Sequence, residues 1–332
     1  MKTTVALIWG GCGKEHDVSC MGYPYVLALL KKVGYTVISV YIDRQSRWYI
    51  VKNGRRTPTF PIMLSGKCGL YTEKEIVEID VALPLLHGDR GESGEIQGLL
   101  DAAGIKYVGA DVPCGALCLD KSHCKCVADT LGIPSAKWQS FSRPISPRDA
   151  LKLCLEKFPF PMFIKPRRLG SSVGAYVARN EEEFIHSFER TSQIENRFIM
   201  VEELIESKRE LECAFYSAKG TTFITRPGEI LLDGFYGYDE KYKGNTQTDI
   251  SAKIDTDTWQ MLQKYSLILA DEIGLRHLAR IDFFLTDKGL LFNEINTLPG
   301  FTHESLYPKM IEAAGIPPEI ALKDFIEDAL GC

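Results

Sequence analysis

The chain has 332 residues, of which 45% are hydrophobic and 25% charged, with a formal net charge of -5. That is a globular composition, long enough for two or three domains or one elaborated α/β unit. It excludes a general electrostatic affinity for nucleic acid or a membrane surface, and no apolar run is long enough to span a bilayer.

The opening MKTTVALIWGG reads as a core strand rather than a secretory signal, so the expected location is the cytoplasm. Residues 3–9 predict the first strand. The glycine loop GGCGKEHDVS then leads into a helix over roughly 20–33. VISVYID (37–43) and DVALPLL (80–86) predict further core strands, the second ending at His87. Residues 93–103 read as a helix stopped by Gly104. This β-loop-α-β order predicts an open parallel sheet for the first third.

Asp120 starts a helix that Gly132 and Pro134 stop. Short strands follow (AKWQSF, PMFIKP, SVGAYVA, RFIMVEE, RELECAFYS and TTFITRP), with helices near 146–156 and 180–190. They predict a mainly antiparallel α+β region. Residues 233–253 are polar, aromatic and weakly periodic, which marks a functional loop. A helix at 256–273, the strand pair HLARIDFFLT and GLLFNEIN, and helices at about 304–314 and 317–330 close the chain.

Ten cysteines lack disulfide-scaffold density and are expected reduced. The segment CGALCLDKSHCKC (114–126) has no paired Cys-x2-Cys or His-x3-His spacing. Buried or half-exposed thiols are expected there rather than zinc.

The strand pair carries the strongest chemical signal. Asp282 lies on one strand and Glu294 and Asn296 on the next, joined by the tight turn TDKG. Side chains two apart on a strand share a face, and oxygen donors on one face suit a hard ion such as Mg²⁺. Arg280 faces the same side, either as a structural salt bridge or as a stabiliser of negative charge. FIKPRRLGSSVGAY (163–176) is a second signal. Glycines and small hydroxyl residues let backbone N–H groups approach phosphate, and Lys165 adds a point charge. The loop after the first strand fails the G-x-G-x-x-G pattern, since position 16 is His, so nicotinamide binding is not expected. Its Glu15 could instead meet an ammonium group. His87 ends a strand before a glycine turn, either as a ligand contact or as a helix cap.

GGCGKEHDVS, LHGDRGESGEIQG, LDKSHCK, KPRRLGSSVG, GFYGYDEKY, ARIDFF and NEINTLPGFTHESLYP occur in this order along nearly the whole chain. Together they resemble the D-alanine–D-alanine ligases, which are ATP-grasp carboxylate–amine ligases. The resemblance implies an α/β and α+β architecture: an N-terminal open parallel-sheet domain (1–119), a central ATP-grasp subdomain (120–195) and a C-terminal catalytic subdomain (196–332). It implies that Glu15 holds the ammonium of the first D-alanine, and that Ser171 and Tyr242 bond with Glu15. Lys121, Lys165 and Lys241 would contact ATP phosphates, with Glu202, Glu203, Ile205 and Glu210 around adenine and ribose. Asp282, Glu294 and Asn296 would bind two Mg²⁺ (or Mn²⁺) ions. Arg280 and the Gly300 N–H would stabilise the oxyanion, and Ser305 and Leu306 would border the second amino-acid site. A homodimer is also implied.

Some positions depart from the family pattern. Asp17 stands where Glu is usual, and Ile250-Ser251-Ala252 where a proline–alanine pair is common. FIKP and NTLPGFT are similar to the D-alanine–D-serine ligases of vancomycin resistance. Those relatives tend to carry Arg where Leu306 stands, so D-alanine is the expected second substrate. A D-alanine–D-serine ligase and a binding-only nucleotide protein are the alternatives.

Overall fold

The first strand, Thr4–Gly10, is buried along most of its length and pairs parallel with Thr36–Ile42 on one side and Val81–Leu85 on the other. The structure is a computed structural model, and it describes residues 2–88, 90–205, 208–231 and 247–332. Lys106–Tyr107 continues the parallel sheet, and the helix His16–Lys32 packs against it.

The sheet is not wholly parallel. Trp48–Lys52 and Arg55–Pro58 add two antiparallel strands at its far edge. Phe60–Leu64, Lys67–Tyr71 and Ile76–Glu78 form a separate three-stranded sheet. These elements were absent from the expectation because the strands are short and half exposed, with little alternation. The turn signal was present nonetheless. Asn53-Gly54 and Ser65-Gly66 all take positive φ (49°, 76°, 51° and 77°), as two-residue hairpin turns demand.

The second sheet is antiparallel, in the order Trp138–Phe141, Ile199–Glu203, Met162–Pro166, Tyr176–Ala178. Helices Pro147–Leu155 and Glu181–Ile194 cover it through a core that includes Phe158, Ile164, Phe184 and Phe188. Ser146 and Asn180 cap these helices, accepting hydrogen bonds from the Asp149 and Glu183 N–H groups.

The third sheet is also antiparallel. Its order is Gln247–Asp249, Gly228–Leu231, Arg209–Ala218, His277–Thr286, Gly289–Asn296, with Thr221–Ile224 beside Arg209–Ala218. Helices Val112–Leu119, Lys121–Thr130 and Thr256–Glu272 contribute to a core on one face, and Leu306–Ala313 and Pro318–Leu330 to a core on the other. The latter core also contains Leu7, Leu30 and Leu83, so it joins the first sheet to the third. Cys114, Cys118 and Cys124 lie within the other core. Among the described residues, no helix is long and apolar enough to cross a membrane.

His277 sits at the junction of the first and third sheets with φ +62°. Its Nδ1 accepts from the Gly109 N–H (2.8 Å), and its Nε2 lies 3.3 Å from Asp328. Burial, helped by Arg276 and opposed by Asp328, pushes its pKa down to about 4. The folded value lies below the ordinary one, so the neutral form stabilises the fold above about pH 6.5. That contribution is lost as pH falls towards 4, by roughly 3 kcal/mol. Urea unfolding at pH 7 and pH 4.5 should therefore show a smaller pH dependence for His277→Asn than for the parent. Equal slopes would contradict this account.

Candidate active site

Three adjacent strands set a row of carboxylates. Glu212 lies opposite Asp282, and Asp282 opposite Glu294. One step along, Ala214, Arg280 and Asn296 are in register. Alternation puts both rows on the same face of the sheet. The Arg280 guanidinium donates to both Asp282 oxygens (2.8 Å each) and lies 3.1 Å from Glu212. Burial disfavours the Arg280 charge, but Asp282 and Glu212 outweigh it and hold the group firmly protonated. Asn296 Nδ2 donates to Asp282 Oδ2 (3.0 Å), which leaves the amide oxygen for another partner.

Lysines face this row across a cleft between the second and third sheets. Lys121 Nζ lies 3.2 Å from Glu294, while Lys125 and Lys165 meet Glu202 at 2.9 and 2.6 Å. Burial opposes ionisation of Glu202, but Lys125 and then Lys165 hold its carboxyl down at about 2. Lys125 is fully buried, whereas Lys165 lines the cleft. Asp120 fixes the lysine helix to the glycine–serine loop. Its carboxylate accepts from Arg167 and Arg168, both at 2.8 Å, and caps the helix by accepting from the His123 N–H. In that loop Ser171 and Ser172 both take positive φ, 51° and 55°. Such strain concentrates at functional sites.

A second cavity opens between the first sheet and the strand pair. Glu15, His87, Gly300, Ser305 and Leu306 line it, and it shares Lys121, Ser171, Arg280 and Glu294 with the cleft. Ser171 Oγ donates to Glu15 Oε1 (2.6 Å). A side chain at Gly88, where φ is +62°, would meet Glu15 Oε2 at 1.9 Å and push this carboxylate aside. Ser305 Oγ accepts from the Thr302 N–H (3.0 Å) at the start of the helix carrying Leu306.

Every described residue expected at the site borders the cleft or this cavity. Glu203 lines the cleft, but its carboxylate accepts from the Lys137 N–H (2.8 Å). Lys241 and Tyr242 lie outside the described residues, as does most of loop 233–253. Asp17 pairs with Arg44 at the surface (2.7 Å).

Sequence reasoning missed Glu212, Lys125 and Glu92. Glu212 was legible as the i+2 neighbour of Glu210 in RELE, and Lys125 as the i+4 neighbour of Lys121. Glu92 gave no local signal, because its contacts reach across the chain to Thr297 and Leu298. Burial raises the Glu92 carboxyl above its ordinary range, against the Gly88 N–H and with the charge of Glu15.

The donor set fits a hard divalent ion. Asp282, Glu294 and Asn296 offer oxygen only, and among the described residues no three His, Cys, Asp or Glu groups form a metal cage. Such a site needs ligand oxygens from a substrate. Charge counting agrees. Lys121, Lys125, Lys165 and Arg280 are balanced by Glu202, Glu212, Asp282 and Glu294. Neutral as a set, they offer no excess positive charge to a polyanionic ligand.

A cleft between two antiparallel sheets, walled by lysines and carboxylates and opening into a second cavity, is the arrangement of an ATP-grasp ligase. The comparisons with known proteins narrow this. The family model "D-ala D-ala ligase N-terminus" matches residues 4–110, and "D-ala D-ala ligase C-terminus" matches residues 127–327. The D-alanine--D-alanine ligase of Parasynechococcus marenigrum is 35% identical, with 98% of each chain covered. D-alanyl-alanine synthetase A of Vibrio cholerae superposes with a TM-score of 0.89 at 31% identity, covering 100% of this chain and 99% of that one. The VanG D-Ala:D-Ser ligase of Enterococcus faecalis also gives 0.89, at 28% identity, covering 99% and 100%. The chain belongs to the D-alanine–D-alanine ligase family.

Lys125→Met should destabilise the protein by about 3–5 kcal/mol, because Glu202 keeps a buried charge with one partner removed. The double variant Lys125→Met/Glu202→Gln should recover most of that loss in urea unfolding. A single variant as stable as the parent would contradict the pairing.

Proposed function

We propose that this chain joins two D-alanines into D-alanyl-D-alanine at the expense of ATP, through an acyl phosphate, in the cytoplasmic synthesis of peptidoglycan precursors. One observation carries the reading. The nucleotide-type cleft and the amino-acid-type cavity share a wall, formed by Lys121, Ser171, Arg280 and Glu294. A phosphoryl group held in the cleft would therefore face a carboxylate held in the cavity.

In this reading Glu15, oriented by Ser171, receives the ammonium of the first D-alanine. Ile205 and Glu210 border the nucleoside end of the cleft. Glu202 keeps Lys165 aimed at the phosphates, with Lys121 beside them. Two Mg²⁺ or Mn²⁺ ions, held by Asp282, Glu294 and Asn296, would offset the charge of the transferring phosphoryl group. Asp282 would then share the Arg280 contact with an ion. The carboxylate of the first D-alanine attacks the γ-phosphorus, releasing ADP and forming the acyl phosphate. The amine of the second D-alanine, having lost a proton, adds to the acyl carbon. Arg280 and the Gly300 N–H meet the oxyanion, a charge that exists mainly along the reaction path. Its collapse expels phosphate and leaves the peptide bond.

Ser305 and Leu306 border the second substrate. Leu306 places an apolar side chain where a serine hydroxyl would need a partner, which favours D-alanine. Three structural units with boundaries near 119 and 195, and a homodimer, complete the proposal.

Purified protein with ATP, Mg²⁺ and D-alanine alone should release phosphate and yield the homodipeptide by mass analysis. A predominance of the mixed dipeptide when D-serine is added would shift the reading to a D-alanine–D-serine ligase. No amino-acid-dependent release with any mixture would overturn it.

A further inference from the structure

Glu92 is buried, at 8% exposure, on the turn that follows His87, and its carboxylate is surrounded by donors. The Gly88 N–H donates to Oε1 (2.9 Å). Oε2 accepts from the N–H groups of Thr297 (2.9 Å) and Leu298 (3.2 Å) and from the Thr297 hydroxyl (3.2 Å). The Leu298 peptide is held from its other side as well. Its carbonyl accepts from His87 Nδ1 (2.8 Å). A carbonyl can only accept, so His87 donates through Nδ1; in the neutral ring this leaves the lone pair on Nε2. That Nε2 is buried without a partner among the described residues, on a residue that lines the amino-acid cavity.

These bonds tie His87 and Glu92 to the segment at 297–298, more than 200 residues away in the chain. Gly300 lies two residues beyond Leu298, and Glu15 lies against Gly88. The clamp therefore fixes the distance between the proposed ammonium acceptor and the proposed oxyanion donor. A carboxylate suits the task because it accepts every one of these bonds and donates none.

We propose that Glu92 is a positioning residue. By binding the Thr297 and Leu298 backbone and the Gly88 N–H, it sets the Gly300 amide against Glu15 and fixes the His87 tautomer that faces the substrate. This rests on the ligase reading above. Glu92→Gln replaces one accepting oxygen with an NH₂ group that faces N–H donors, and the Thr297–Gly300 segment shifts. Misplacement of about 1 Å at reacting groups costs roughly 100-fold in rate.

The test uses the whole protein, with the parent assayed first for D-alanyl-D-alanine. If the parent makes no dipeptide, the ligase reading fails before this inference is reached. Given an active parent, Glu92→Gln should lower kcat by roughly 10- to 100-fold. ADP affinity should stay within twofold of the parent, and phosphate released per dipeptide should rise as the ill-placed acyl phosphate meets water. A kcat equal to the parent's would overturn the proposal. So would a loss of ADP affinity and thermal stability in step with kcat, which a merely structural role would produce. If Glu92→Gln does not fold, Thr297→Val decides. It removes one donor to Glu92 and should lower kcat severalfold with the KM for ATP unmoved; an unchanged kcat would overturn the inference.

Discussion

The register between His277–Thr286 and Gly289–Asn296 is the constraint on which the site depends. It places Asp282 opposite Glu294 and Arg280 opposite Asn296, and the next strand adds Glu212 to the row. A slip of one residue in Gly289–Asn296 would turn Glu294 and Asn296 to the other face of the sheet. That other face belongs to the apolar core with Ile281, Phe283 and Ile295, so the slip would bury charge and expose hydrocarbon. The core thus enforces the register, and the register assembles the chemistry.

Electrostatic balance is the second organising feature. The buried lysines and Arg280 are matched by carboxylates before any ligand arrives. Each charge is held in place by its partner at the cost of desolvation. In the proposed reaction a nucleotide enters with its own cation, which the oxygen donors of the strand pair would hold. Lys125 never reaches the cleft surface. Its service is to keep Glu202 ionised, so that Glu202 can orient Lys165.

Much of this was legible in the sequence where the signal was local. The alternation in ARIDFF and FNEIN placed Arg280, Asp282, Glu294 and Asn296 on one face, and the short turn fixed their pairing. The Asp120 cap and the glycine–serine loop were equally plain. The strands between residues 48 and 78 were not, because they are short and poorly alternating and their hairpin turns were the only clue. The clamp at Glu92 was invisible for a different reason. Its partners Thr297 and Leu298 lie 205 and 206 residues away, and no spacing rule connects them to it. Family motifs pointed to the cavity residues, but the shared wall between cleft and cavity is a property of three dimensions only.

That shared wall is the central claim, since it makes direct transfer from nucleotide to carboxylate possible. The most direct measurement follows the oxygen atoms. D-alanine labelled with oxygen-18 in both carboxyl oxygens is turned over with unlabelled ATP, and the released phosphate is weighed by mass spectrometry. Transfer to the carboxylate requires one labelled oxygen in each phosphate formed together with dipeptide. Unlabelled phosphate alongside dipeptide would show that the carboxylate never carried the phosphoryl group, and would contradict the account.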